Sequence, residues 1–419
     1  MEKMKFAATC LFGLERLVGE EIDALGYKRL ETIDGRVYFE GDITAIARCN
    51  MWLRCAERVF IVAGEFEATT FTELFDGTKA IPWEKYIGEN DAFPNSGHSI
   101  KSQLVSIPDC QSIVKKAMVE RLKSVYGVDW FEENETKVRI EFFILNDKAT
   151  LMIDTSGEPL FKRGYREKAA EAPLRETLAA ALVKLSRPRE NVITWDPFCG
   201  SGTIAIEAAL IMTNTAPGIR RRFSSEHYRW IPKKVWQDAR KEAADAVNLD
   251  TPFKAWASDI DPECVQLAKD NAKRAGMENY IKIFQKDALS IFDNGERTTI
   301  VCNPPYGERL GSIREARELY KKLGKTLSTL VPPWQMYLLT SEEEFERLYG
   351  KRANKARKLY NGMIKCYLYQ YFKDFGDKKP FEGKKPHDKD FGDKKSYGDR
   401  KPFGEKKHFN KDEKRGEKK

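Results

Sequence analysis

Three aspartates and one asparagine in the second half of the chain each stand close behind a short apolar run. They are Asp196, Asp259, Asp287 and Asn303, and each run before them predicts a buried strand. A carboxylate attracts a cationic or amine-bearing ligand and accepts two O–H donors of a ribose at once. One such side chain per strand end predicts a shared site for a positively charged nucleoside.

The turn that begins at Asp196 runs Asp-Pro-Phe-Cys-Gly-Ser-Gly-Thr and contains two glycines, Gly200 and Gly202. Glycine lets the backbone approach a ligand that a β-carbon would push away. The turn lacks the lysine of a phosphate-binding loop and the full glycine pattern of a dinucleotide site. Because its opening acid repels phosphate and suits a sulfonium and an amino group, the turn favours S-adenosylmethionine over an ordinary strand-to-helix turn.

The remaining acids divide the cofactor between them. Asp259 is expected to accept the ribose hydroxyls, Ile260 to pack on the adenine and Asp287 to accept the adenine amine. Each acid alone fits a helix cap equally well, but their spacing supports the joint interpretation. The residues predicted to bind the cofactor are Pro173, Asp196, Phe198, Gly200, Gly202, Thr203, Asp259, Ile260, Asp287, Ala288 and Asn303.

The segment 303–310, Asn-Pro-Pro-Tyr-Gly-Glu-Arg-Leu, supplies the predicted catalytic residues Asn303, Pro304 and Tyr306. Two prolines at a strand end cannot continue a sheet ladder, so they fix a rigid loop. The Asn303 side-chain oxygen and the Pro304 carbonyl can accept the two N–H bonds of a base amine, which turns its lone pair toward a methyl group. Tyr306 can stack on the base. This chemistry is methyl transfer to an exocyclic amine.

Alternating strands and helices must position these residues. Strands are predicted at 191–195, 253–258, 281–284, 299–302, 335–339 and 363–372, and helices at 174–185, 262–275 and 319–330. This alternation predicts a doubly wound, Rossmann-like α/β sheet, in which ligands bind at the carboxyl ends of the strands.

The first 160 residues predict two small α+β modules without an acid–base or metal constellation. In the module 1–66, strands are expected at 5–10, 36–40 and 58–66, and helices at 14–25 and 43–53. In the module 67–160, helices are expected at 71–79 and 111–126, and strands at 99–106, 137–145 and 148–154. Both are interpreted as structural or binding modules.

The net charge of +8 lies mainly in the last 47 residues, 373–419, where 17 Lys and Arg face 11 Asp and Glu. This segment repeats Asp-Phe-Gly-Asp-Lys-Lys at 374–379 and 390–395, and its composition predicts disorder. Basic residues between single aromatics suit loose binding of single-stranded RNA. An inert solubilising tail is the alternative.

Basic residues elsewhere are candidates for RNA contact. The linker 161–166 and the stretches 220–222 and 227–236 mix arginines with aromatics, so each could face RNA or pack on the protein itself. The basic stretch 351–360 could contact phosphates or be a solvated face. The candidates are Lys101, Arg163, Arg166, Arg221, Lys355, Arg357 and Lys358.

Cysteine and histidine usage argues against a metal site. The eight cysteines include no Cys-x-x-Cys pair and the chain has four histidines, so neither zinc nor a disulfide framework is expected. The apolar run 6–14 is followed at once by charges, which is unlike a signal peptide, and no apolar run is long enough to span a membrane. A cytoplasmic protein is expected; its oligomeric state is open.

Together these motifs resemble the THUMP-domain class I RNA methyltransferases of the RlmL/YpsC type. The resemblance covers about residues 1–372 and rests on the segments 163–166, 171–174, 196–203, 258–261, 303–310 and 357–362. It implies a ferredoxin-like domain over 1–66, a THUMP RNA-binding domain over 67–160 and a methyltransferase domain over 161–372, before the tail 373–419. It also implies S-adenosylmethionine as cofactor, and methylation of guanine N2 in 23S ribosomal RNA, free or in a ribosome assembly intermediate.

Two other functions fit parts of the sequence. Asn-Pro-Pro-Tyr serves any base amine, so an adenine-N6 methyltransferase acting on DNA is one alternative, although the two modules before the sheet favour RNA. An RNA-binding ribosome-assembly factor with a vestigial cofactor site is the other. The intact set of Asp196, Asp259, Asp287 and Asn303 argues against it.

Overall fold

The computed structural model describes residues 2–166, 174–293, 295–306, 313–330 and 334–372. Its first half alternates strands and helices much as the apolar periodicity predicts. The strands are β1 (Met4–Cys10), β2 (Lys28–Ile33), β3 (Arg36–Gly41), β4 (Ala56–Glu67), β5 (Asn95–Ile100), β6 (Ile140–Leu145) and β7 (Lys148–Asp154). The helices are α1 (Glu15–Ala24), α2 (Thr44–Trp52), α3 (Phe71–Ala80) and α4 (Ile107–Tyr126).

The two modules expected in this half share one sheet. Its order is β2-β3-β1-β4-β7-β6-β5, and the strand in the middle, β4, pairs antiparallel with β1 on one side and β7 on the other. β4 is 12 residues long, and its pairing with β7 shifts register between Val62 and Gly64. The expected boundary at residue 66 therefore falls at the end of a strand that both modules use.

The structure differs from the sequence-based predictions at two places in this half: one strand was missed and one was misplaced. β2 was not expected, because its residues are mostly exposed and show no apolar face; it is an edge strand held by β3 alone. The strand expected at 99–106 lies instead at Asn95–Ile100. Lys101 has a φ of 50° and the Ser102 hydroxyl donates to the Ile100 carbonyl at 3.0 Å, so the chain turns where the prediction continued the strand.

The second half builds the predicted α/β layer. Its strands are β8 (Ile193–Asp196), β9 (Ala255–Asp259), β10 (Ile281–Gln285), β11 (Thr298–Cys302), β12 (Gln335–Thr340), β13 (Lys355–Asn361) and β14 (Ile364–Tyr371). Its helices are α5 (Glu176–Ser186), α6 (Thr203–Met212), α7 (Lys233–Asp245), α8 (Pro262–Ala275), α9 (Ile313–Leu327) and α10 (Phe345–Tyr349).

The sheet order β10-β9-β8-β11-β12-β14-β13 confirms the doubly wound prediction. β8 to β12 are mutually parallel, and the strand order reverses between β8 and β11, the place where such sheets bind ligands. β13 and β14 form an antiparallel hairpin on the β12 side. The basic stretch 351–360, for which the sequence predicted no strand, thus supplies most of the edge strand β13.

The segment after α6 packs the two halves together. The Ser225 hydroxyl donates to the Thr155 carbonyl at 2.7 Å, and the Tyr228 hydroxyl donates to the Asp154 carbonyl at 2.5 Å. The rings of Phe223 and Trp236 stack with centroids 5.0 Å apart. The aromatics of 227–236 therefore follow the packing alternative rather than facing RNA. In the part of the chain that the structure describes, no helix has the length and apolarity to cross a membrane.

Candidate active site

The four predicted polar residues follow the carboxyl ends of four adjacent parallel strands. Asp259 ends β9 and Asp196 ends β8; Asp287 lies two residues after β10, and Asn303 directly follows β11. In space the strands run β10, β9, β8, β11. The side chains thus lie along one edge of the sheet in the order 287, 259, 196, 303, and the last two flank the point where the strand order reverses.

Asp196 is a buried acid without a cationic partner among the described residues. It is 2% exposed, and its Oδ1 accepts a hydrogen bond from the Phe198 N–H at 3.1 Å. Burial raises the pKa of the Asp196 carboxyl from 3.8 to about 8; the Phe198 N–H opposes this rise and the neighbouring Asp259 adds to it. A cation bound beside such a buried carboxyl would stabilise its ionised form.

The glycine turn leaves room over its backbone. Gly200 has a φ of 49°, and a β-carbon there would meet nothing within 4 Å, so its face of the turn is open. Gly202 has a φ of 79° and sits tightly on α8, where a β-carbon would come 3.0 Å from that of Ala268. Phe198 is half-buried, whereas Thr203 is buried and shares a 2.9 Å hydrogen bond with Ser201. The second glycine therefore serves packing, and the first leaves space for a ligand.

Asp259 is tied to the same turn. Its Oδ2 accepts the Gly200 N–H at 2.9 Å, and its Oδ1 accepts the Asp261 N–H at 3.1 Å. A carboxylate has about four acceptor positions, so ribose hydroxyls can still bind to it. Ile260, the next residue, is 65% exposed, which is unusual for a large apolar side chain. It offers the apolar surface that an adenine ring requires.

Asp287 is exposed and its Oδ1 accepts the Leu289 N–H at 2.8 Å, so it caps the short helical turn 288–290. Ala288 is buried beneath it. The capping alternative is therefore realised for Asp287, while its second carboxyl oxygen remains available to an amine. Pro173, also predicted to bind the cofactor, lies outside the described residues.

Asn303 carries an unpaired acceptor. Its Oδ1 is buried and has no hydrogen-bond partner among the residues that the structure describes, whereas buried polar atoms nearly always have one. Two hydrogen bonds fix the loop that follows Asn303. The Tyr320 hydroxyl donates to the Pro305 carbonyl at 3.1 Å and lies 2.9 Å from the Thr340 hydroxyl. Pro304 is buried. A fixed acceptor at a strand end suits an incoming N–H donor.

The structure contradicts the stacking role predicted for Tyr306. The ring is 6% exposed, within the core, and its hydroxyl accepts a hydrogen bond from Asn361 Nδ2 at 3.0 Å. A ring buried in this way presents no free face to a base. Tyr306 instead fastens the proline loop to the end of β13.

The residues at this edge fit S-adenosylmethionine. Asp196 and Asp259 provide negative charge for its amino and sulfonium groups and acceptors for its ribose, Gly200 leaves open space, and Ile260 is exposed for the adenine. No group of three or more His, Cys, Asp or Glu in the described ranges could hold a metal ion.

Three of the predicted RNA contacts are wrong. Arg163 is 3% exposed; its guanidinium donates to the Leu160 carbonyl at 2.6 Å and to that of Arg54, and lies 3.5 Å from Glu207. It therefore holds the linker 161–166 to the first half of the chain. In a basic and aromatic linker, carbonyl oxygens satisfy an arginine as readily as phosphates, and the sequence does not show which partner is present.

The guanidinium groups of Arg166 and Arg221 are likewise bound by partners within the protein. Arg166 pairs with the buried Glu176 at 2.9 Å. Arg221 donates to the Pro159 carbonyl at 2.6 Å and to the Lys162 carbonyl at 3.1 Å, and burial lowers its pKa to about 10. Neither guanidinium is free to reach RNA.

The other four candidates remain accessible. Lys101, Lys355 and Lys358 are exposed, and Arg357 is half-buried. Lys101 stands in the turn after β5, and the other three lie on the edge strand β13. Alternation along a strand places Lys355 and Arg357 on one face and Lys358 on the other.

A polar pair on α8 was missed by sequence reasoning. The buried Asn271 donates to the Ser201 carbonyl at 2.9 Å, and Arg274 donates both to Asn271 Oδ1 at 2.8 Å and to the Tyr165 carbonyl at 2.9 Å. The pair thus joins the linker to the glycine turn. Its sequence signal is an asparagine in the otherwise apolar face of α8 formed by Ala268 and Ala272.

Comparison with known families agrees with this architecture. The chain matches the models of the RlmL ferredoxin-like domain over residues 5–60, the THUMP domain over 68–154 and the RMKL-like methyltransferase domain over 163–370.

Two curated relatives differ in how much of their length the chain matches. It is 48% identical over 374 residues to the putative RNA methyltransferase YpsC of Bacillus subtilis, covering 89% of this chain and 97% of that protein. It is 33% identical over 368 residues to ribosomal RNA large subunit methyltransferase K/L of Psychromonas ingrahamii, covering 86% of this chain and 49% of the relative. The chain thus spans about half the length of the K/L protein.

Two solved structures share the fold over most of the chain. One, from Listeria monocytogenes, is described as a predicted N6-adenine-specific DNA methylase; it is 48% identical with a TM-score of 0.84 and covers 89% of this chain and 97% of its own. The other is a putative methyltransferase complexed with SAH; it is 39% identical with a TM-score of 0.83, covering 89% of this chain and 99% of its own. SAH is the product left when S-adenosylmethionine gives up its methyl group.

Proposed function

Since the chain belongs to the THUMP-containing RNA methyltransferases of the RlmL/YpsC type, we propose that it methylates the exocyclic N2 amine of a guanine in 23S ribosomal RNA. S-adenosylmethionine, the cofactor of these methyltransferases, supplies an electrophilic methyl group when bound. The residues of this chain bind that cofactor and orient the amine.

The unpaired Oδ1 of Asn303 is the observation that carries the proposal. It lies directly after β11, next to the strand that ends at Asp196. An exocyclic amine on a purine is planar because its lone pair is delocalised into the ring. Accepting one N–H at Asn303 Oδ1 and the other at the Pro304 carbonyl draws electron density onto nitrogen and fixes the direction of the lone pair. Both acceptors must be rigid to do so.

The contacts around the proline loop provide that rigidity. The Tyr320 hydroxyl holds the Pro305 carbonyl and is itself bonded to the Thr340 hydroxyl, and Asn361 holds the Tyr306 hydroxyl. None of these side chains needs to touch the substrate, so they are positioning residues. They fix Asn303 between the core of the sheet and the edge strand β13.

Support for RNA as the substrate comes from the first half of the chain, which matches a THUMP domain, and from the RNA methyltransferase names of the curated relatives. Support for guanine N2 comes from the resemblance of the Asn-Pro-Pro-Tyr and Arg-Lys-Leu-Tyr-Asn-Gly segments to the family. The name of the Listeria structure favours a second candidate, adenine N6 in DNA. Asn303 would serve either amine.

Mass spectrometry of nucleosides tests the proposal. Ribosomal RNA from a strain lacking this protein, incubated with the purified protein and cofactor, should gain N2-methylguanosine at a single 23S position. The Asn303→Ala protein is the matched control and should add none. A gain of N6-methyladenine in duplex DNA, with unchanged ribosomal RNA, would establish the second candidate instead. Cofactor binding without any methylation would point to an assembly factor.

A further inference from the structure

A cavity of about 500 Å³ lies at the end of the second sheet opposite Asp196 and Asn303. Strand starts form one side of it: Thr299 of β11 pairs with Gln335, the first residue of β12. The β13–β14 hairpin contributes Lys355 and Gln370, which pair with each other. Helix α1 and the end of α5 close the other sides. The length of the strands thus separates the cavity from the carboxyl ends of the strands, where the cofactor residues lie.

Positive charge dominates the walls of this cavity. Among the described residues, Glu20 is the one carboxylate that lines the cavity, and it pairs with Arg16 at 2.8 Å; Lys184 pairs with Glu21 at 2.7 Å. Five further cations form no ion pair with any residue that the structure describes. They are Arg187, Arg189, Arg297, Lys355 and Arg357.

Two buried donors in the same walls have no acceptor among the described residues. Gln370 is 5% exposed and its Nε2 finds no partner there, and Arg357 Nε is likewise buried without one. Native proteins leave few buried N–H groups unsatisfied. Both the unpaired cations and the unpaired N–H donors would be satisfied by a ligand rich in anionic oxygen atoms.

The end of α5 does not account for this charge. Cations are favoured near the carboxyl end of a helix, which explains Lys184 in the last turn of α5 and Arg187 just beyond it. Arg297 precedes β11, and Lys355 and Arg357 belong to β13, so they come from other elements. Several segments distant in sequence contribute positive charge to one cavity.

We infer that this cavity is a binding site for a ligand that carries two or more neighbouring phosphate groups. Its volume lies within the range of about 300–1,000 Å³ that is usual for small-ligand sites. Arginine side chains and amide N–H groups are the donors that recognise phosphate oxygens. The phosphates can belong to an RNA backbone or to a free polyphosphate such as a nucleotide.

The path of β13 favours the RNA backbone. The strand begins with Lys355 at the cavity and ends with Asn361, which holds Tyr306 of the proline loop. Seven residues of extended chain span roughly 20 Å. An RNA strand along this exposed edge would connect the cavity with the catalytic loop. This part of the inference rests on the proposed function; the phosphate site itself does not.

Calorimetric titration of the full chain with sodium tripolyphosphate tests the site. Arg357→Gln and Gln370→Leu should each weaken binding about tenfold, as expected for a lost charge-assisted or buried hydrogen bond. Lys358→Gln is the matched control. It removes one positive charge from the same strand, but Lys358 is exposed and does not line the cavity. It should change the affinity less than about twofold.

Either of two results would overturn the inference: no saturable binding by the unaltered chain, or equal weakening by Arg357→Gln and Lys358→Gln. The tail 373–419 is identical in all variants, so any binding by its charges does not affect the comparison between them. Unchanged S-adenosylmethionine affinity shows that each variant is folded.

Competition identifies the source of the phosphates. Displacement of tripolyphosphate by a 23S RNA fragment, weakened in Arg357→Gln, assigns the site to the RNA backbone. Displacement by a nucleoside triphosphate but not by RNA assigns it to a free nucleotide. Both results support the site. Because tripolyphosphate binding does not depend on methylation, a failed methylation assay leaves this test intact.

Discussion

The two ends of the second sheet carry opposite charge. The carboxyl ends of its parallel strands present Asp196, Asp259 and Asp287, whereas the amino ends face a cavity with five cations that lack an ion-pair partner among the described residues. The same strands connect both ends. Their difference means that ligands of opposite charge would be drawn to opposite ends of the same sheet.

Burial differs between the ends as much as charge does. Asp196 is almost fully buried, which raises the pKa of its carboxyl to about 8, whereas most of the cations around the cavity are exposed. Desolvation therefore controls the protonation of Asp196 at the acidic end. The affinity of the basic end for anions depends instead on how many cations meet there. Substitutions at the acidic end should affect the cofactor and leave tripolyphosphate binding unchanged.

The largest effect is expected at Asn303. Asn303→Ala removes an acceptor that the substrate amine uses in the transition state, so single-turnover methylation should fall by roughly 10²–10³-fold. S-adenosylmethionine affinity should stay close to normal in calorimetry. Asn303→Asp should retain part of the activity because a carboxylate also accepts. Full methylation by the alanine variant would show that Asn303 does not orient the amine.

A smaller effect is expected at Asp259. Asp259→Ala removes acceptors for the ribose hydroxyls and should weaken S-adenosylmethionine binding about tenfold to a hundredfold. The Gly200 N–H also loses its acceptor, so a melting curve must show that the chain still folds. Titration with tripolyphosphate provides the second control. An equal loss of both ligands would mean that the two ends of the sheet are coupled.

The smallest effect is expected from pH. Because the pKa of Asp196 is about 8 without ligand, a cationic ligand must displace its proton at lower pH. S-adenosylmethionine affinity should therefore rise with pH, by up to about tenfold per unit, between roughly pH 6 and 7.5. One proton should be released on binding, which titrations in buffers of different ionisation enthalpy would detect.

Asp196→Asn is the control for this pH dependence and should flatten it. In the absence of cofactor, the contribution of Asp196 to the free energy of unfolding changes with pH in the opposite direction: it falls as pH rises. A carboxyl whose pKa is raised by folding favours the folded state at low pH, and this contribution is lost as pH rises from about 4 to 8. A pH-independent affinity in the unaltered chain would exclude Asp196 as the group that meets the cation.

The sequence predicts the strand ends well because local signals define them. A buried strand needs a run of apolar residues, and a turn with glycine or proline must follow, so Asp196, Asp259 and Asn303 could be placed on one edge without a structure. Helix α8 was predicted at its exact bounds, from Pro262 to Ala275, because Asp261 caps it and Gly276 ends it.

Partners that are distant in sequence could not be predicted. Arg163 and Arg221 lie in basic, aromatic segments, and only the fold shows that carbonyl groups of other segments surround them. Tyr306 has the right type for base stacking, yet Asn361, 55 residues later, draws its hydroxyl into the core. The basic cavity depends on four or more elements meeting, which no local pattern reports.

The shared strand β4 has a consequence for synthesis on the ribosome. β4 ends at Glu67 and its second neighbour, β7, ends at Asp154, so 87 residues separate their completion. At about 5–20 residues per second, one side of β4 waits for its partner for roughly 4–17 seconds. During this interval the nascent chain presents an open strand edge, a site of mispairing with other chains. The first half of the protein is therefore the part whose yield should depend most on translation speed.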